Sequence, residues 1–300
     1  MASLASPPPA NTLSRCLALA AANHTLAAAQ LLLALPEAER EATLDADPSP
    51  PALRNVLLRG QQLLAVAESL RSREGWKLVS QAAGVDTLLQ TDEGSPLAKV
   101  RVEGVVDAPL PHVFALLNEF ALWPDFLPGV TSAGRLENVS PIGDLVQLLV
   151  WLPFPIASRE AALRVHGGFL REGGGEAGGE EAGGEDTANE LAPRGGTSLI
   201  IHCADAPADD PLLPAVPGGG VRASVQTGGF QLFSIDGGRK TLLKLVLTVD
   251  IKMAAMPYWL LNFVVKQVRT REGRGRKGRQ GQREKRERER EGERERETEN

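Results

Sequence analysis

Residues 97–118 read Leu-Ala-Lys-Val-Arg-Val-Glu-Gly-Val-Val-Asp-Ala-Pro-Leu-Pro-His-Val-Phe-Ala-Leu-Leu-Asn, and their hydrophobic period changes halfway. Up to Val106, valines alternate with Lys, Arg and Glu, which predicts a strand with one apolar and one polar face. From Pro109 onward, apolar residues recur at helical spacing, and Pro111 is tolerated in the first turn of a helix. A strand that runs directly into an amphipathic helix indicates an α+β fold.

Further strand-like runs lie on both sides of this stretch. They occupy Trp76–Ser80, Val85–Gln90, Thr131–Glu137, Leu145–Leu152, Arg159–Leu170, Thr197–Ala204, Val221–Ser234 and Lys240–Lys252. The dipeptide Ala83-Gly84 between the first two runs predicts a hairpin turn. The last apolar element, Pro257–Val268, begins with Pro and has helical spacing. It therefore predicts a long terminal helix that covers an antiparallel sheet.

Composition divides the chain into three parts. Residues 1–72 are rich in Ala and Leu, contain no Phe, Tyr or Trp, and predict two helices, at 12–35 and 52–72, that form a hairpin. Residues 73–268 hold every Phe, Tyr and Trp and predict the folded domain. Residues 269–300 are nearly all Arg, Lys, Glu, Gly and Gln, which predicts a charged, disordered tail.

Two segments interrupt the predicted sheet. Glu172–Gly196 is rich in Gly and Glu and has no Val, Ile or aromatic residue, so it predicts a disordered insertion between two strands. Asp205–Gly220 is rich in Pro, Asp and Gly but contains Leu212, Leu213 and Val216. An apolar loop of this kind predicts either ordinary packing on the domain or a lid over a pocket.

Charge is segregated in the same way as composition. The chain has a net charge of −5, and residues 269–300 hold 13 Lys and Arg against 9 Glu, so the tail carries +4 and the rest −9. An acidic body argues against nucleic-acid binding by the folded domain. The basic tail favours transient contact with an anionic membrane surface, since each Lys or Arg there adds about 1 kcal/mol of attraction.

The cysteines and the apolar runs indicate the cellular environment. Cys16 and Cys203 are too few for a disulfide scaffold and form no metal-ligand cluster, which predicts a reduced, cytoplasmic protein. The alternative is a plastid or another organelle, if residues 1–36 act as a transit peptide. No apolar run reaches the length of a membrane span.

Residue types that carry catalysis are scattered along the chain. The four histidines, His24, His112, His166 and His202, lie on different predicted elements. His202 and Cys203 are adjacent on a strand and point to opposite faces, which excludes a Cys–His pair. His166 and His202 flank the insertion as expected cross-strand neighbours, but no third ligand accompanies them. The sequence therefore predicts a protein with no metal, no cofactor and no enzymatic activity.

Five blocks of the folded domain resemble the StAR-related lipid-transfer (START) domain family, in the family's order. They are Gly75–Val79; Gly94–Pro109 followed by Val113–Leu117; Phe154–Glu160, similar to the family's Pro-x-Ser-x-Arg-Asp with Glu in place of Asp; Val221–Ala223 with Gly228–Phe230; and Pro257–Asn262. The resemblance covers about 190 of the 300 residues. It implies a helix-grip fold, in which a long C-terminal helix covers a curved antiparallel sheet, here preceded by an α-helical hairpin.

The resemblance also implies a function, namely binding and intermembrane transfer of a single lipid or sterol in an apolar cavity. We expect nine residues to contact the ligand: Val102, Leu148, Trp151, Arg159, Phe230, Trp259, Leu260, Phe263 and Val264. Arg159 follows a Pro-rich loop and begins a strand, which predicts either a place at the cavity entrance or an ion pair with Glu160 or a sheet neighbour. We expect the protein to be a monomer.

Two other hypotheses stay open at this stage. The same fold with a filled core would give an interaction or scaffold protein that uses the N-terminal helices as its partner surface. An enzyme of the related aromatase/cyclase type is the third hypothesis, and the lack of an evident acid–base pair counts against it.

Overall fold

A computed structural model describes residues 10–48, 52–82, 84–90, 97–127, 129–140, 142–152, 156–171, 196–216 and 220–250. The predicted terminal helix Pro257–Val268, the tail 269–300 and residues 172–195 of the predicted insertion lie outside these ranges. Within them the chain forms six α-helices and ten strands.

Four helices come first in the chain, and strands dominate the rest. The helices are α1 Ala10–Ala21, α2 Thr25–Leu33, α3 Glu37–Asp45, α4 Ala52–Ser69, α5 Leu110–Asn118 and α6 Trp123–Phe126. The strands are β1 Lys77–Ala82, β2 Val85–Gln90, β3 Ala98–Val106, β4 Val130–Ser140, β5 Gly143–Val150, β6 Arg159–Arg171, β7 Thr197–Asp205, β8 Val221–Arg222, β9 Ser224–Ile235 and β10 Lys240–Asp250. The predicted strand-to-helix stretch at 97–118 is confirmed as β3 and α5.

Nine strands form one sheet in the order β1-β2-β3-β10-β9-β7-β6-β5-β4, and every neighbouring pair is antiparallel. The short β8 pairs in parallel with β6. Gly84 occupies the predicted hairpin turn between β1 and β2 with φ +77°, a conformation that glycine adopts without strain. The predicted α+β class with a large antiparallel sheet is confirmed.

The sheet has two unlike faces because side chains alternate along each strand. The register partners Val102, Leu245 and Phe230 lie on one face, which we call the inner face. Arg101 and its partner Val246 lie on the opposite, outer face. Helix α5 packs on the inner face through a cluster of apolar side chains that includes Val113, Leu199, Ile201 and Leu232.

Helices α2 and α4 cover the outer face. They contribute to a buried apolar cluster with β6, β7 and β10, whose members are Leu26, Leu63, Val66, Ala67, Leu70, Leu170, Ile200 and Val246. A second buried cluster, Cys16, Leu32, Leu44 and Leu53, holds α1–α4 to one another. Full burial of each large side chain is worth roughly 1.5–3 kcal/mol. The helices therefore pack both on themselves and on the sheet.

Arg101 fastens the C-terminal end of α4 to the outer face. Its side chain is only 1% exposed, and the guanidinium donates hydrogen bonds to the backbone oxygens of Leu70 at 2.8 Å and Ser69 at 3.3 Å. The last carbonyl groups of a helix have no partner inside the helix. This arginine therefore donates to carbonyl oxygens that would otherwise be buried without a hydrogen bond. Glu103 balances the charge, with Nε of Arg101 2.5 Å from its Oε1.

The predicted helix at 12–35 is wrong in its continuity, because the chain breaks it into α1 and α2. Asn23 adopts a left-handed conformation, φ +59°, and the N–H of His24 bonds to the oxygen of Leu19 at 2.8 Å. This hydrogen bond and conformation are typical of a helix C-terminus, where Asn replaces Gly most readily. Helix α3 was not predicted.

Smaller differences concern the loops and one long strand. The prolines of Leu122–Val130 predict a loop, but this stretch contains the short helix α6. The predicted strand Val221–Ser234 divides at Ala223 into β8 and β9. In the Asp205–Gly220 loop, Leu213 packs on Leu145 and Ala162 of the outer face. The described part of this loop therefore packs on the domain, and Leu213 is not part of a lid over the inner face.

Gly60 sets how closely α2 and α4 approach. A Cβ added at Gly60 would lie 2.0 Å from the Cβ of Ala29, so Gly60→Ala forces the two helices apart. We expect this substitution to lower the free energy of unfolding by ~1–3 kcal/mol. At a helix position with free space, Gly→Ala would instead raise it by roughly 1 kcal/mol. Urea denaturation measures the difference. The control is Gly134→Ala on β4, where a Cβ meets nothing within 4 Å; equal losses in both variants would contradict this packing.

The ends of β6 and β7 predict the effect of removing the insertion. Arg171 and Thr197 are register partners, so their Cα atoms are about 5 Å apart and a two-residue Asn-Gly turn can join them. Replacing Glu172–Gly196 by this turn should change the free energy of unfolding by less than ~1 kcal/mol, since the entropy of closing a loop depends weakly on its length. A thermal melt of both chains measures it, and a fall of ten degrees or more would show that the segment packs.

Candidate functional site

The inner face and the α5–α6 region enclose a cavity of about 360 Å³. The helical side contributes Phe114, Leu117, Phe120 and Trp123, and the sheet side contributes residues of β4, β5, β6, β7, β9 and β10. This volume is near the lower end of the range of about 300–1,000 Å³ that is typical of small-molecule sites. The cavity is thus large enough for one small ligand.

Strand alternation makes the cavity wall apolar. On β5 the inward residues are Val146, Leu148 and Val150, and on β6 they are Ala161, Leu163 and Val165. β7 adds Ile201 and Cys203, whose neighbour His202 points to the outer face. Burial in this wall raises the pKa of the Cys203 thiol to about 12, so the thiol is neutral and contributes only apolar surface.

Arg159 lies at one end of the cavity, at the start of β6. It is 6% exposed, and its Nη1 donates to the backbone oxygen of Ala157 at 2.5 Å. Burial lowers the pKa of its guanidinium. Glu160 is the next residue on β6 and therefore points to the opposite face. Glu160 instead accepts hydrogen bonds from Arg222, one of them at 3.1 Å.

Asp144 lies at the other end of the cavity, near the start of β5. The side chain is 3% exposed and pairs with Arg135 of β4, with the carboxylate oxygen 2.7 Å from Nε. Asn138 donates to the same oxygen at 3.2 Å. Burial raises the pKa of the Asp144 carboxyl, and the arginine partly offsets this by stabilising the charged form.

The structure brings together three of the nine residues expected to contact a ligand: Leu148, Arg159 and Phe230 line the cavity. Val102 is on the inner face but is not among the described lining residues. Trp151 also lies outside the lining and is 47% exposed, because it has the opposite parity to the inward residues Val150 and Leu152. The other four, Trp259, Leu260, Phe263 and Val264, lie outside the described residues.

Several lining residues escaped the sequence analysis although the sequence carries a signal for them. Residues two positions apart on a strand lie on the same face, so the expectation that Leu148 faces the ligand also applies to Val146 and Val150 of β5. Phe114 belongs to the apolar stripe recognised on α5. Asp144 and Trp123 gave no such signal, since only the tertiary fold places them at the cavity.

The histidines lie away from this cavity. His166 and His202 are register partners, as expected, but they are on the outer face under α4. Among the described residues, no cluster of three or more His, Cys, Asp and Glu is arranged to hold a metal ion. No described helix is long and apolar enough to cross a membrane.

Comparison with solved structures identifies the fold. Human STARD10 matches with a TM-score of 0.52 and 16% identity, over 71% of this chain and 76% of that chain. Human StAR-related lipid transfer protein 5 matches with a TM-score of 0.50 and 19% identity, over 70% of this chain and 91% of that chain. Neither a protein-family model nor a curated protein matches the sequence.

At these identities the likeness concerns the fold. The large antiparallel sheet and the helices inserted between β3 and β4 agree with that architecture. The chain therefore has the helix-grip fold of StAR-related lipid-transfer domains.

Proposed function

We propose that the chain binds a single lipid or sterol in the inner-face cavity, and that it transfers this ligand between membranes without catalysing a reaction. The observation that carries the proposal is the cavity itself, whose wall is almost entirely apolar. A cavity of about 360 Å³ with apolar side chains on its wall offers packing contacts to an apolar ligand.

An apolar cavity is useful to a lipid because moving an acyl chain through water is costly. Exposing one CH₂ group to water costs roughly 0.8 kcal/mol. A 16-carbon chain therefore faces about 12 kcal/mol on leaving a bilayer unaided. A protein that shields the chain removes most of this barrier.

The two polar positions support an amphipathic ligand with a fixed orientation. Arg159 is the register partner of Val150 at one end of β5, and Asp144 lies six residues back along the same strand. At about 3.3 Å per residue, the two ends are roughly 20 Å apart. A few polar groups in an otherwise apolar pocket are the usual means of orienting a bound molecule.

The charged groups at the cavity favour binding over catalysis. Asp144, the described carboxylate whose side chain faces the cavity, is engaged by Arg135. Its oxygen would have to leave that guanidinium before it could exchange a proton with a bound ligand. General acid–base chemistry needs a group within hydrogen-bond reach of the reacting atoms. The pairing of Asp144 with Arg135 therefore favours a carrier over an enzyme of the aromatase/cyclase type.

The scaffold hypothesis has less support than the carrier hypothesis. It requires a filled core, whereas the inner face encloses a cavity. It also requires a partner surface on the N-terminal helices, and most of the large apolar side chains of α2 and α4 belong to the two buried clusters or pack against them. Contact of the predicted tail with membranes, the monomeric state, the cytoplasmic location and the ligand contacts of the predicted terminal helix stay predictions from the sequence.

Native mass spectrometry of the purified full chain tests the proposed binding. We expect a co-purifying lipid, or uptake of one after incubation with mixed-lipid vesicles, at one molecule per chain. Trp123 in the cavity wall gives a second readout, since a lipid with a doxyl group on its acyl chain should quench it in a variant with the other tryptophans replaced by Phe. If the chain takes up no lipid and Trp123 is not quenched, the proposal is overturned.

Filling the cavity should abolish binding while the fold persists. Leu148→Trp places an indole in the cavity, so we expect lipid uptake to fall at least tenfold, with a melting temperature that is unchanged or raised because empty space is filled. The matched control is Leu149→Trp, whose side chain is on the outer face. If both variants took up lipid as the parent does, the cavity would not be the binding site.

A further inference from the structure

Two histidines form a stacked pair between the sheet and the helices that cover its outer face. His166 on β6 and His202 on β7 are register partners, with ring centroids 4.9 Å apart. Glycines flank the pair in the same row across the sheet, Gly143 on β5 and Gly229 on β9. Between these two glycines, the imidazoles are the side chains of this row that lie under the helices.

Helix α4 approaches the sheet closely at this row. A Cβ added at Gly229 would lie 2.7 Å from Cγ1 of Val66, so the helix rests almost on the strand backbone. Nε2 of His166 lies 3.3 Å from the backbone oxygen of Arg59 on α4 and donates to it when it carries its proton. The helix and the pair are thus in direct contact.

A second proton on His202 has no acceptor in this arrangement. The side chain is 5% exposed, and its Nδ1 is buried without a hydrogen-bond partner among the described residues. A neutral ring leaves only an unused lone pair there. Protonation would create a charged, unsatisfied N–H in the interface, which is among the costliest groups to bury.

The charged groups that surround the pair do not compensate for a positive charge. From α4, Arg59 faces His166, and it carries the same charge as a protonated imidazole. Two residues along β6, Arg164 is held by Glu137 and Asp210, so these carboxylates are already engaged. From the start of α2, His24 lines the same small pocket as His166. The strands on either side contribute the two glycines.

Protons can reach the pair without unfolding of the domain. A pocket of about 240 Å³ between the α1–α2 turn, α4 and β6 has His166 in its lining. Helices α1–α4 also have their own buried cluster, with Leu32, Leu44 and Leu53 among its members. They can therefore leave the sheet as a unit and keep that cluster.

From this geometry we infer that the His166–His202 pair is an acid-sensitive latch on the outer face, and that protonation of the imidazoles weakens the docking of the helices α1–α4 there. The inference concerns the face opposite the cavity and does not depend on the proposed function.

The direction and size of the effect follow from proton linkage. Burial and the neighbouring His202 and Arg59 lower the pKa of His166 from 6.5 to about 4, and burial lowers the pKa of His202. The docked state favours neutral rings, so its stability is complete above pH 6.5 and falls as the pH drops toward 4. For His166 alone, the docking equilibrium should weaken roughly 30-fold between pH 7.5 and pH 5.

Hydrogen exchange of the full chain, in EDTA and corrected for the intrinsic pH dependence of exchange, tests the latch. At pH 5 we expect peptides of α2 and α4 to lose protection about 30-fold relative to pH 7.5, while peptides of β3, β9 and β10 keep theirs. The double variant His166→Gln/His202→Gln should lose this pH dependence, because an amide retains polarity but does not titrate. His112→Gln, which removes an exposed histidine of α5, is the matched control and should behave as the parent.

Two results would overturn the latch. One is the same pH dependence in the parent and the double variant, and the other is simultaneous loss of protection in the helices and the central strands. If the double variant fails to fold, an NMR titration of the histidine side chains in the parent chain decides the matter. The pKa of His166 should lie near 4 and that of His202 below its ordinary value, and ordinary values near 6.5 for both would contradict the inference.

Discussion

A sheet can keep one face partly empty only if its other face is well packed, and Arg101 is central to that requirement here. Its guanidinium holds the last carbonyls of α4 and pairs with Glu103, which ties this end of the covering helix to the strands. Arg73 extends the network, donating from Nε to Glu103 at 3.0 Å and from Nη2 to Asp86 at 3.0 Å. Removing one member would leave a buried charge without its partner, the costly way to break such a cluster.

Because side chains alternate along a strand, one strand contributes both to the cavity wall and to the packing under the helices. On β7, Ile201 and Cys203 face the cavity, whereas His202 faces the helices. Ile142 at the β4–β5 turn lines both the cavity and the outer pocket beside His166, so the two spaces meet at one side chain. A change in the packing of the helices would thus act on the wall of the cavity through very few residues.

Sequence reasoning reached the fold because each element carries a local signal. The alternating valines of β3 predict a strand, Gly84 predicts a turn, and the apolar stripe of α5 predicts a helix. It failed at Asn23, where an ordinary helical period conceals a residue suited to a helix end. Trp151 was expected at the ligand, but its side chain is 47% exposed and outside the described cavity lining, because parity decides which face a strand residue takes. The place of Asp144 at the cavity could not be predicted from the sequence, because its burial depends on the pairing with Arg135 from another strand.

The two-faced sheet also bears on how such a chain could change its ligand over evolutionary time. Inward positions on β5 and β6 touch the cavity, and the residues between them belong to the outer packing. Substitutions confined to every second codon of these strands would therefore reshape the cavity and leave the scaffold's supporting contacts in place. Selection on the shape of the cavity and selection for folding would act on separate, interleaved sets of positions.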